Sequence, residues 1–168
     1  MAKGINGKNK GNEYERKIAK SLSGWWGEQF QRTPASGGLQ WKNDNRVSGD
    51  IVTSVKSKFP FTVECKKREG WSIEQLVKET GDIEKWWAQV IKDCERSSLR
   101  PLLIFSRNFA PDYVMIHEAD FNLLASTTEV KFTHFILRSK KYNRVILMLD
   151  DLYKLANKQE VLDRFGIK

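Results

Sequence analysis

The chain has 168 residues, 40% hydrophobic and 30% charged, with a formal net charge of +8 and a pI of about 9.5. That length suits one domain with a sizeable core, and no apolar run approaches the length of a membrane span. Two cysteines, Cys65 and Cys94, are too few for a disulfide framework, and two histidines make a tetrahedral zinc site improbable. A reducing, cytoplasmic setting is the expectation. The basic balance points to an anionic partner, most often nucleic acid; a merely solvated basic surface is the alternative.

Residues 1–11, MAKGINGKNKG, are basic and glycine-rich, with no apolar run to make a secretory signal, and are expected to form a flexible arm. Residues 12–168 are expected to form a single domain. A helix is predicted from Asn12, a plausible N-cap, to about Trp26. GEQFQRT (27–33) reads as a strand and PASGGLQWKNDNRVSG (34–49) as a loop. DIVTSV (50–55) and FTVECK (61–66) read as a hairpin. A short helical turn follows in SIEQLVKET, and Asp82 is expected to cap a helix reaching Ser97. RPLLIFSR (100–107) reads as a buried strand. YVMIH (113–117), FTHFILR (132–138) and RVILML (144–149) are further strands, FNLLAS a short helix, and 151–165 a closing helix or helix pair. This order predicts an α/β or α+β sheet with helices on its faces.

Three carboxylates stand where apolar residues are expected. On a helical wheel Tyr14, Ile18, Leu22 and Trp25 form a stripe, and Glu15 falls inside it while Glu13 falls outside. A carboxylate on such a face needs a partner or a metal unless it is a rim residue. Along 61–66, Glu64 and Lys66 share one face and Val63 and Cys65 the other, which makes Cys65 a small core residue. Asp50 opens the partner strand and can approach Glu64. Two carboxylates beside a lysine make a hard-cation site, with oxygen ligands for Mg²⁺ and an ammonium for developing negative charge. A cross-strand ion pair at a sheet edge is the alternative.

G-D-I-V (49–52) followed by V-E-C-K (63–66) resembles the core of PD-(D/E)XK nucleases, with Gly49 replacing the usual proline. N-E-Y-E-R-K-I (12–18) and R-T-P-A-S-G-G (32–38) resemble the first helix and following loop of archaeal-type Holliday junction resolvases in that superfamily. The similarity spans roughly residues 10–107, and the longer 108–168 extension also fits a phage or bacterial member. It implies a restriction-endonuclease-like central mixed β-sheet flanked by α-helices. The implied function is a homodimeric, Mg²⁺-dependent endonuclease that resolves four-way DNA junctions by paired symmetric nicks, with Mn²⁺ able to substitute. It also implies site roles. Glu15, Asp50 and Glu64 would hold the metal together with the backbone carbonyl of Cys65. Lys66 would orient or deprotonate the water, or neutralise the transition state. Ser36 would contact a phosphate, unless it is only a turn residue. Gln89 would stand at the site edge.

Phosphate contacts are expected from Lys8, Lys10, Arg16, Arg32, Lys67 and Arg68, with further cations at Lys3, Lys17, Lys20, Lys42 and Arg46. The pairs Trp25-Trp26 and Trp86-Trp87 are expected to pack in the core, and Trp41 to meet DNA or a second subunit. Residues 108–143 suit extra dimer surface. Rival functions are a restriction or repair endonuclease of the same fold acting on duplex or branched DNA, and a non-catalytic DNA-binding module. The clustered carboxylates, which repel phosphate, argue against the last.

Overall fold

In a computed structural model, which describes residues 7–33, 48–127 and 129–168, the first helix is α1 (Gly7–Trp26). It begins earlier than the sequence suggested. Once Tyr14 and Ile18 are docked, extending the helix toward the N-terminus needs only propagation, and Gly11 is a weak breaker. Lys8 and Lys10 therefore ride on helix, where a flexible arm was expected. Asn12 lies inside α1 and does not cap it: its Oδ1 accepts from Arg32 Nη2 at 2.7 Å. The buried stripe is Tyr14, Ile18, Ala19, Leu22 and Trp26, so Trp26 replaces Trp25 as the deepest ring. Trp26 stands four residues after Leu22 and stays over the sheet. Trp25 is partly buried, stacked on Tyr153 at 4.9 Å, and its Nε1 donates to the Ala156 carbonyl.

Among the described residues seven strands follow: β1 (Phe30–Arg32), β2 (Ile51–Thr53), β3 (Phe61–Lys67), β4 (Arg100–Ser106), β5 (Tyr113–His117), β6 (His134–Arg138) and β7 (Asn143–Met148). They form one mixed sheet in the order β1-β2-β3-β4-β5-β7-β6. Among the described strands only β3 and β4 run parallel. Their connection carries α2 (Ile73–Val77) and α3 (Asp82–Ser97), as a parallel crossover requires. Asp82 is the first helical residue of α3 and not its cap. Gly81 takes that position at φ +85, with no side-chain cap bond. The expected hairpin is antiparallel but brief, held at Ile51↔Val63, with a 3₁₀ turn at Val55–Ser57 between its arms.

The remaining helices are α4 (Glu118–Leu124), α5 (Leu149–Leu155) and α6 (Lys158–Arg164), so the chain closes on a helix pair. One core lies between the sheet and α1, α4, α5 and α6, and contains Ile18, Leu22, Val63, Cys65, Ile104 and Leu152. The other lies under α2 and α3, around Leu76, Trp87, Val90, Leu103, Phe105 and Met115. Cover on both faces explains why β3 and β4 read as nearly continuous apolar runs. The α/β class is the one expected. Among the described residues no helix is long and apolar enough to cross a membrane.

Candidate active site at the β2–β3 junction

The site is built from the short pairing of β2 with β3. Gly49 precedes it at φ +84, and a Cβ there would sit 2.3 Å from the Val63 carbonyl oxygen. Glycine is thus demanded by both conformation and space, and the departure from proline has a structural reason. Asp50 N–H donates to that same carbonyl at 2.7 Å. With Ile51 opposite Val63, the antiparallel register sets Asp50 alongside Glu64. Asp50 Oδ2 accepts from the Cys65 N–H at 2.8 Å. The N–H and C=O of a strand residue face the same neighbour, so the Cys65 carbonyl is turned to the Asp50 side too. The Cys65 thiol is buried in the core under α1, where burial pushes its pKa well above the ordinary value.

Glu64 and Lys66 occupy the opposite face of β3, toward α3. Glu64 is 6% exposed, and Lys66 Nζ donates to its Oε1 at 2.5 Å. Burial drives the Asp50 carboxyl up from its ordinary 3.8 to about 7, and the Glu64 charge adds to the rise. Burial also raises Glu64, against the pull of Lys66. Burial alone would lower Lys66, but the Glu64 hydrogen bond and the charges of Glu64 and Asp50 outweigh it and raise its pKa. One ammonium therefore leaves this acidic pair under-compensated.

Glu15 lies on α1, on the other face of the sheet. Its charge reaches Asp50 and Glu64, but its Oε2 is taken by Arg32 Nε at 2.5 Å. Arg32, expected to hold phosphate, is turned inward by this pair and by Asn12. Among the described residues, no three His, Cys, Asp or Glu side chains are grouped closely enough to hold a metal ion. Ser36 lies outside the described residues, as do Lys3, Trp41, Lys42 and Arg46.

Gln89 is exposed on α3, and its Nε2 donates to Asp93 Oδ1 at 3.1 Å and Oδ2 at 3.2 Å. Asp93 is 7% exposed, also receives Arg96, and adds its charge to the rise of Glu64. Sequence reasoning passed over Asp93. Its signal was available, because it stands three residues after Val90 and four before Ser97 on the buried face of α3. A second missed feature is a buried hydroxyl chain: Ser48 to Thr62 at 3.0 Å, and Thr62 to Ser97 at 2.9 Å. It ties the residue before Gly49 to the end of α3. No periodicity announces it.

The remaining expected cations spread around this end of the sheet. Lys8, Arg16 and Arg68 are exposed. Arg16 lines a cleft of about 510 Å³ with Lys20 and Arg32. Lys10 pairs with Glu69 at 3.6 Å, and Lys17 with Asp112 at 2.7 Å. Lys67 lies over the Tyr14 ring, 5.6 Å from its centre. Lys10, Tyr14, Lys17, Lys67 and Asn108 line a second cleft, of about 520 Å³.

Comparisons with known proteins bear on the family to which the chain belongs. Protein D14 of Escherichia phage T5 is 23% identical over 165 residues, covering 94% of this chain and 98% of that protein. Hjc, a Holliday junction resolvase from the archaeal hyperthermophile Archaeoglobus fulgidus, has a solved structure similar over 92% of this chain and 96% of its own. The likeness is distant, with a TM-score of 0.40 and 14% identity. The family model described as phage putative PDDEXK endonuclease matches residues 6–163. The chain therefore belongs to the phage putative PDDEXK endonuclease family.

Proposed function

We propose that this endonuclease cleaves branched DNA, with the four-way junction as its preferred substrate, by Mg²⁺-dependent phosphodiester hydrolysis at Asp50, Glu64 and Lys66. The observation that carries the chemistry is the under-compensated acidic pair. Asp50 stays raised to about 7 even with Lys66 beside it. A dication relieves a surplus that one ammonium does not. The donors are hard oxygens, as Mg²⁺ or Mn²⁺ requires. Asp50, Glu64 and the Cys65 carbonyl would hold the ion, with Glu15 joining if it leaves Arg32. Bound there, the ion supplies positive charge to the scissile phosphate and acidifies a water.

Lys66 is kept protonated by its acidic neighbours, which suits it to neutralise charge on the phosphate more than to take a proton. Asp50 and Glu64 orient that ammonium and keep the site anionic until metal arrives. The role of Ser36 as a phosphate contact is part of the same proposal. Lys8, Lys10, Arg16, Lys67 and Arg68 would follow the DNA backbone without reading bases.

The four-way substrate is supported by the likeness of N-E-Y-E-R-K-I and R-T-P-A-S-G-G to junction resolvases. Paired nicks need two active sites, hence a homodimer. Cleavage of a four-way junction, a flap and a linear duplex should be compared with Mg²⁺ present. The junction should be cut fastest and in both opposed strands. Cleavage of duplex at one sequence, with junctions ignored, would replace this reading with that of a restriction-type enzyme. Asp50→Asn and Lys66→Ala should stop cleavage and keep DNA binding.

A further inference from the structure

Between β4 and β5 the chain makes a tight turn, closed by the Ala110 N–H donating to the Arg107 carbonyl at 3.3 Å. Phe109 is its third residue. It holds φ +59, a region that turn chemistry reserves for glycine or asparagine and that is strained for a bulky side chain. Its ring touches no core: Phe109 is fully exposed, the most exposed large apolar residue among those described. The turn is nevertheless well anchored. The buried Ser106 hydroxyl lies within hydrogen-bond reach of the Arg107, Ala110 and Pro111 carbonyls, the last at 2.9 Å. The Asn108 N–H donates to Glu69 Oε1 at 2.8 Å, and the Arg107 guanidinium stacks on Trp71 at 4.8 Å. A fixed, strained turn that presents an aromatic ring to water breaks local rules without gain to the fold, the usual mark of a contact made with something else.

The surroundings say what that is. β4 runs parallel to β3 with Phe105 beside Lys66 and Ser106 beside Lys67, so the turn leaves the sheet at the end that carries the catalytic lysine. Arg107 belongs to the turn, and Asn108 lines the cleft of Lys10, Lys17 and Lys67. Glu69 and Asp112 pair with Lys10 and Lys17, but Lys67 and Arg68 make no ion pair with a described residue. An exposed apolar ring on the same turn as Arg107 and next in sequence to Asn108, which lines the lysine cleft, matches a nucleobase attached to phosphates, since every base offers a flat apolar face. Resting on the DNA-cleaving reading above, we infer that Phe109 stacks on a base left unpaired or unstacked where DNA strands branch, and so favours branched DNA over duplex.

The test is binding of the full chain to a four-way junction and to a linear duplex of equal length, in EDTA and over a range of NaCl. Phe109→Gly should weaken junction binding about 5- to 100-fold, the scale of one lost base stack. Duplex binding should change less than about twofold and the salt slope should stay the same, because no phosphate contact is removed. Glycine suits the turn, so the melting temperature should hold or rise. Phe109→Trp should keep the preference. An unchanged junction-to-duplex ratio in Phe109→Gly overturns the inference. A lower melting temperature or a halved particle mass overturns it in favour of packing or a subunit contact. With Mg²⁺ supplied in place of EDTA, wild-type protein that binds and cuts no DNA sinks the nuclease reading with it, whereas wild-type cutting alongside an unaffected Phe109→Gly sinks the base contact alone.

Discussion

Replacing Asp50 by Asn should stabilise the metal-free protein at the same time as it silences cleavage. The Asp50 carboxyl is raised from 3.8 to about 7 by burial and by Glu64. Below about pH 4 it is protonated whether the chain is folded or not, and the raised value costs nothing. Between about pH 4 and 7 the folded state holds a proton that the unfolded state has lost, so stability falls as pH rises, and above pH 7 the full cost is present. A rise of roughly 3 in pKa at about 1.4 kcal/mol each sets a ceiling of about 4 kcal/mol. The carboxyl is only partly buried, and screening by solvent brings the expected gain to about 2 kcal/mol. Asparagine keeps an oxygen to accept the Cys65 N–H, so the geometry survives. Urea unfolding in EDTA at several pH values should give equal stabilities near pH 4 and an advantage for Asp50→Asn that grows to a plateau above pH 7. Adding Mg²⁺ should stabilise the wild type and not the variant, by about 1.4 kcal/mol at ten times the Kd. An Asn variant less stable at pH 8, or a difference that ignores pH, would refute the electrostatic account.

Other consequences can be measured in the same way. Gly49→Ala meets the Val63 carbonyl and an unfavourable φ, and should cost about 3 kcal/mol in denaturant unfolding while displacing Asp50. Unaltered stability would show that the loop relaxes freely. Thr62→Val leaves the Ser48 and Ser97 hydroxyls without their shared partner and should cost about 1–2 kcal/mol. Arg32→Ala releases Glu15 and should tighten Mg²⁺ binding measured by calorimetry. Weaker binding would assign Arg32 to holding Glu15 in place for the metal.

The meeting of Asp50 with Glu64 was legible in the sequence because strand alternation and strand order are short-range rules. The spacing of Asp50, Glu64 and Lys66 on two β-strands foretold that the first two would meet. The mixed sheet and its flanking helices followed from the order of apolar runs. Glu15 was found by helical phase, but phase does not say which partner a carboxylate chooses, and the choice of Arg32 is a tertiary event. Asp93 was open to the same wheel and was hidden by the tryptophans around it. The Ser48–Thr62–Ser97 chain joins three distant segments by side-chain hydroxyls, for which no sequence period exists. The strain at Phe109 was likewise invisible, since phenylalanine in an R-N-F-A-P turn gives no hint of a positive φ.

The most direct test of the central claim, catalysis at the Asp50–Glu64–Lys66 hairpin, is cleavage of a mobile four-way junction by the full chain, with and without Mg²⁺. Lys66→Ala serves as the matched control. Paired nicks that require Mg²⁺ and vanish in Lys66→Ala, with junction binding retained, are the predicted result. Cleavage that proceeds in EDTA, or at the wild-type rate in Lys66→Ala, would contradict the assignment of this hairpin as the active site.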